Sequence, residues 1–141
     1  MKKKLKVGEF GAIYTQFKNK PKEAILFLKK KKDGECVKAL YRKDFGYVDI
    51  VWGENDPKTN RGYGLKHIIE KHGKEFHSVG SSVEEFIPLA FQLGSIRELK
   101  EERKIIIENP LYRVVILTAW KKRLNKNLLL TAYIVIKKPK K

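Results

Sequence analysis

The last third of the chain sets the strongest constraint. Three runs rich in β-branched and aromatic residues, 104–108, 111–120 and 128–136, are separated by Asn109-Pro110 and by the polar stretch Lys121 to Asn127. Residues of this kind fit a pleated, half-buried surface, and Asn-Pro marks a turn. The run 128–136 is the most explicit. Leu128, Leu130, Ala132, Ile134 and Ile136 fall on one face, and Leu129, Thr131, Tyr133 and Val135 on the other. The first face is expected to pack on helices. The second would present hydroxyls beside Lys137, although Thr and Tyr are also ordinary strand formers on a half-exposed face.

The helices that such a sheet needs lie upstream. From Pro21 to about Lys32, Ala24, Ile25, Phe27 and Leu28 recur at helical spacing. Pro21 suits a first helical position, and Lys29 to Lys32 suit the negative end of the helix dipole. Two alternating runs, 35–42 and 47–52, flank Lys43-Asp44-Phe45-Gly46 and read as a hairpin. In the first, Val37, Ala39 and Tyr41 share a face. In the second, Val48, Ile50 and Trp52 do. Residues 53–64 form a polar loop long enough to invite a functional reading. Short helices are expected over 65–72 and 82–93, the latter with a capping box between Ser82 and Glu85. The expectation is an α+β fold: an N-terminal helix and two central helices packed on a mainly antiparallel sheet of about four to five strands.

With 141 residues and 42% hydrophobic side chains, the chain is expected to form one domain, over 8–137, with a flexible basic arm at 1–7 and a basic tail at 138–141. One cysteine, Cys36, rules out an intramolecular disulfide and a cysteine zinc site. The longest apolar run, 128–136, is nine residues, against the roughly 20 a membrane helix needs. The basic start has no apolar region of a leader behind it. The expectation is a cytoplasmic protein without a membrane partner.

The net charge of +16 is polarised. Residues 1–52 carry 14 basic and 6 acidic groups, net +8; residues 53–94 carry 5 and 6, net −1; residues 95–141 carry 13 and 4, net +9. Two basic ends around a near-neutral middle fit a polyanion such as nucleic acid, though lysine runs also occur as merely solvated surface.

His67, His72 and His77 fall within eleven residues of that middle. On an α-helix, Leu65, Ile68, Ile69 and His72 share one side and His67 lies roughly opposite, with Glu70 and Lys71. A spacing of i, i+5 does not aim two imidazoles at one zinc, so neither metal nor cofactor is expected. No Gly-x-Ser-x-Gly elbow and no phosphate-cradling glycine loop is present. A histidine amid cations suits RNA cleavage, in which the 2′-hydroxyl loses a proton and the 5′-oxygen gains one.

The run from Lys38 to Gly53, KALYRKDFGYVDIVWG, followed by Gly64 to His72, GLKHIIEKH, and the closing Leu128 to Tyr133, LLLTAY, resembles the phage-associated barnase/EndoU/colicin/RelE-like nuclease family. The likeness spans roughly 20–137. It implies helices packed on an antiparallel sheet and metal-independent endoribonuclease activity, often as a toxin within larger phage or polymorphic-toxin proteins. By position, His67 matches the family's helix histidine, Thr131 the last-strand hydroxyl with Tyr133 its aromatic neighbour, and Trp52 and Gly53 the strand end before the site loop. The family's last strand usually has Trp before Leu-Leu-Thr; here Asn127 and Leu128 stand there.

The resulting expectation is an endoribonuclease. His67, Arg61, Thr131 and Tyr133 would be catalytic, and Lys66, His72, Trp52, Lys121 and Lys122 would bind substrate. RNA is the expected partner, with an acidic inhibitor protein that covers the basic cleft. The rival expectations are a non-catalytic basic nucleic-acid-binding phage protein and a degenerate nuclease fold acting as an adaptor.

Overall fold

The computed structural model describes residues 7–59, 61–120 and 123–135, with the backbone alone for 123–125. The chain runs β1 (Val7–Gly8), β2 (Gly11–Tyr14), α1 (Pro21–Lys31), β3 (Glu35–Arg42), β4 (Gly46–Val51), β5 (Glu54–Asn55) and β6 (Gly62–Tyr63). A helical segment follows in three parts: α2 (Gly64–His67), a π-helical turn (Ile68–His72) and α3 (Gly73–Ser78). Then come α4 (Val83–Leu93), β7 (Ser95–Leu99), a 3₁₀ turn, β8 (Lys104–Glu108), β9 (Tyr112–Trp120) and β10 (Arg123–Ile134).

Eight strands form one mixed sheet in the order β1-β2-β3-β4-β10-β9-β8-β7, and β5 pairs with β6. The expected four to five strands are therefore too few. The local hairpins are antiparallel as read, but β2 joins β3, and β4 joins β10, in parallel. Those joints link segments distant in sequence, and a polar edge strand, Ser95-Ile96-Arg97-Glu98-Leu99, adds β7. Val7 belongs to β1 rather than to an arm. The rest of that arm, residues 1–6, and the tail 138–141 lie outside the described residues.

One face of the sheet packs on the helices. Ala24, Ile25 and Leu28 of α1 and Ile87 and Phe91 of α4 meet Leu40, Val48, Ile50, Val114, Ile116, Leu129 and Ala132. Two bulges reset the expected alternation. In β3, Lys38 takes φ 56° and gives its N–H to Asp49 Oδ1 at 2.7 Å, so Cys36 and Leu40 join Ala39 in the core in place of Val37 and Tyr41. In β10 the register shifts between Leu129 and Thr131, so Leu129, not Leu128 or Leu130, joins the main core with Ala132 and Ile134. Leu128 instead packs with Phe10 and Val51, beside Tyr63, Leu117 and Trp120, in a smaller cluster. The Ser82–Glu85 capping box does not form: Ser82 makes no side-chain cap, and Glu85 pairs with Lys22 at 2.5 Å.

Lys126 ties β10 to the first hairpin. Its side chain is 6% exposed, and the ammonium reaches Glu35 Oε1 and Asp49 Oδ2, each at 2.6 Å. It reinforces a β4–β10 joint whose backbone register holds a single pair, Leu128 with Asp49. Beyond that pair β10 parts from β4, and the helical segment 64–78 lies along the strand. There the Ile134 N–H donates to Glu75 Oε1 at 3.0 Å.

Candidate active site

Two glycines bring the histidine helix to the sheet. Gly53 has φ +78° and Gly64 φ +80°, a region open mainly to glycine. A Cβ on Gly53 would run into the Tyr63 carbonyl, and one on Gly64 would lie 2.9 Å from the Val51 oxygen. The crossing is closed by the Lys66 N–H donating to the Trp52 oxygen at 2.7 Å. This backbone lock, with the β5–β6 hairpin inside it, fixes where α2 begins.

His67 is 6% exposed. Its Nδ1 lies 2.8 Å from Asn55 Oδ1, and Asn55 Nδ2 donates to Glu70 Oε1 at 3.1 Å. The donor inventory fixes the proton. A carboxylate only accepts, so the amide NH2 of Asn55 faces Glu70 and its oxygen faces the ring. Nδ1 then carries the hydrogen, and Nε2 of the neutral ring holds the free lone pair. Burial first, then the neighbouring His72 and Lys71, hold the His67 pKa below its ordinary value. The ring is thereby kept as a neutral base.

The expectation that His67 and His72 lie on opposite helix faces is overturned. Residues 68–72 form a π turn, whose i→i+5 bonding brings residue i+5 above residue i. The two rings meet edge to face, 5.8 Å between centroids. His72 Nδ1 contacts Glu75 Oε2 at 2.5 Å, and its ring lies 5.4 Å from that of Tyr133. Glu75 thus holds His72 with one oxygen and the edge of β10 with the other.

Thr131 stands two residues before Tyr133 in an unbroken stretch of register, on the same face. Its Oγ1 is buried and has no hydrogen-bond partner among the described residues. Tyr133 pairs across the sheet with Arg113, whose guanidinium donates to Glu108 Oε1 at 3.0 Å. Sequence reasoning missed both Arg113 and Asn55. The first is placed by β9–β10 register, and the second by a two-strand hairpin inside a loop.

His67, His72 and Tyr133 are thus brought together, with Thr131 alongside. Arg61 sits at the turn of the β5–β6 hairpin, exposed, and its backbone shapes that turn through Thr59 Oγ1 and Asp56. Lys66 is half-buried, and Trp52 packs against the main core. Lys121 and Lys122 lie outside the described residues. Among the described residues, no group of three or more His, Cys, Asp or Glu is placed to hold a metal ion. No described helix is long and apolar enough to cross a membrane.

An oriented histidine pair beside a strand with an unpartnered hydroxyl has the chemistry to move protons and to donate a hydrogen bond to a phosphate ester. Residues 39–139 match the model of phage-Barnase-EndoU-ColicinE5/D-RelE like nuclease1, and the chain belongs to this nuclease family. Its substrate class is nucleic acid. No curated protein and no solved structure matches the chain.

Proposed function

We propose that the chain is a metal-independent endoribonuclease that cuts RNA through its own 2′-hydroxyl, leaving a 2′,3′-cyclic phosphate and a 5′-hydroxyl. The carrying observation is the His67 imidazole, held neutral by burial and oriented through Nδ1 by Asn55. Nε2 takes the proton of the 2′-hydroxyl, whose oxygen attacks the adjacent phosphorus. The P–O5′ bond breaks, and the leaving oxygen takes a proton from His72 Nε2. RNA supplies the nucleophile, so the protein needs no covalent intermediate. Charge grows on the phosphate oxygens in the transition state. The Thr131 and Tyr133 hydroxyls donate to them, with Arg113, Lys66 and Arg61 as the cations. Trp52, through its carbonyl, positions Lys66 and hence the start of the helix.

A chain of this kind would act as a toxin or phage-derived effector in the cytoplasm, held in check by an acidic protein that covers the basic surface. The test is incubation of purified chain with total RNA in excess chelator, with mapping of the new ends. Cyclic phosphates, and an inert but folded His67→Ala, are expected. Undiminished cutting by that variant removes His67 from the mechanism. Salt-dependent RNA binding without scission would return the non-catalytic binding reading.

A further inference from the structure

A second polar site lies on the side of β3 and β4 that turns away from the main core. Tyr41 and Tyr47 are register partners, their ring centroids 4.6 Å apart, and both are half-buried. The ammonium groups of Lys18 and Lys38, on exposed side chains, lie over the Tyr47 ring, 5.3 and 5.6 Å from its centroid. Beside the ring opens a cleft of about 340 Å³, walled in part by Glu35, Lys38, Tyr47, Asp49, Lys126 and Asn127. That is within the size range of small-molecule sites.

The hydrogen bonds along the wall set its chemistry. Lys126 is engaged by Glu35 Oε1 and Asp49 Oδ2 and faces the Phe10 ring at 5.6 Å. Asp49 Oδ1 takes the Lys38 N–H, and Asn127 Nδ2 donates to the Tyr47 carbonyl. These bonds use Oε1 of Glu35 and Nδ2 of Asn127, so Glu35 Oε2 and Asn127 Oδ1 stand outside them. Glu35 Oε2 faces Gly8 at the rim, 3.6 Å from where a Cβ there would stand. Acceptor oxygens on the wall of the cleft suit a ligand with N–H donors. A half-open aromatic ring beneath two cations calls for a flat ring attached to a phosphate.

We infer that this cleft holds one unpaired base of single-stranded RNA. The base stacks on Tyr47, and its exocyclic amino group donates to Glu35 or Asn127. Lys18 and Lys38 swing aside toward its phosphate when the base stacks there. The inference rests on the nuclease reading for its substrate class and extends it with a subsite apart from the histidines. Uracil, which has no exocyclic amino group, is the base it would hold least well.

The test uses the full chain and short 2′-O-methyl oligonucleotides, which no 2′-hydroxyl attack can cut, so binding is read apart from cleavage. At fixed salt, oligo-C is expected to bind several-fold more tightly than oligo-U. Tyr47→Leu is expected to lose oligo-C binding by roughly ten-fold, the scale of one stacked base, while Tyr47→Phe keeps it. An oligonucleotide carrying 5-iodocytidine should photo-crosslink to Tyr47 in the unmutated chain, a readout independent of any variant's folding. Equal affinity for C and U, unchanged binding in a folded Tyr47→Leu, or crosslinks confined elsewhere would each overturn the subsite. A chain that cuts RNA yet fails these tests loses the subsite alone. One that passes them yet never cuts RNA loses the nuclease reading alone.

Discussion

Val48 and Ile50 point to one face of β4 and are wholly buried in the main core, whereas Tyr47 and Asp49, on the other face, stay partly open beside a cleft. The contrast continues across the sheet. Leu129 and Ala132 of β10 join the helix-covered core, while Thr131 and Tyr133 face the other way. The helix side is apolar and is explained by stability alone. The other side holds an ion triad, a buried hydroxyl without a partner and tyrosines next to cations. Burying polar groups costs free energy unless each is matched. Groups left unmatched are therefore where a ligand belongs. The helix side is given over to the fold, whereas the other side combines an ion triad that ties strands together with groups able to meet a ligand.

The largest expected effect tests whether the ion triad belongs to the fold. Lys126→Met leaves Glu35 and Asp49 facing each other without their cation, and should cost about 3–5 kcal/mol in denaturant unfolding. Neutralising all three, Glu35→Gln with Asp49→Asn and Lys126→Met, should recover much of that loss. If the single variant unfolds like the unmutated chain, the triad does not hold β10 to the hairpin. On the helix face, Ile50→Ala should cost about 2–5 kcal/mol, because it opens a cavity in a close-packed core.

Thr131→Val sharpens the comparison because stability and activity should move in opposite directions. Removing a buried hydroxyl that has no partner should stabilise the chain by up to about 1–3 kcal/mol, while RNA cleavage falls. A loss of stability would mean that the hydroxyl is satisfied in the fold and is no free donor.

The pH dependence follows from the lowered pKa of His67. The unfolded ring titrates near pH 6.5, and the folded ring below that. Between the two values the unfolded chain binds more protons, so stability rises with pH through that window. Acidification from pH 7 should therefore cost stability beginning near pH 6.5, with the penalty levelling off below the folded pKa. The acid limb of the cleavage rate should have its midpoint below pH 6.5, and a midpoint above it would contradict the desolvated base. The smallest effect is at Cys36. Burial, with help from Glu35, pushes its pKa up to about 12. Iodoacetamide at neutral pH should leave it unmodified in the folded chain and label it after unfolding.

Much of this architecture is written in local patterns. The helix at Pro21–Lys31, the β3–β4 hairpin and the strands β8 and β9 follow from periodicity and turn residues within a dozen positions. What escaped depends on geometry that no local period encodes. The π turn at 68–72 changes which residues stack, so His72 joins His67 instead of opposing it. The bulges at Lys38 and before Thr131 move side chains from one face to the other. Both parallel joints, β2–β3 and β4–β10, unite segments far apart in the chain. At the candidate site, the resemblance points to His67, Thr131 and Tyr133, which the structure brings close together. Asn55 and Arg113 were not legible, because one owes its place to a chain crossing at Gly53 and Gly64 and the other to cross-strand register.

The central claim is that the His67 imidazole performs proton transfer. It is tested most directly by single-turnover cleavage of a defined RNA in chelator, comparing the unmutated chain with His67→Ala at matched folded fraction. The account predicts a rate lower by about 10²–10⁴-fold, the usual contribution of a positioned general base. A folded His67→Ala that cuts at the unmutated rate would contradict it.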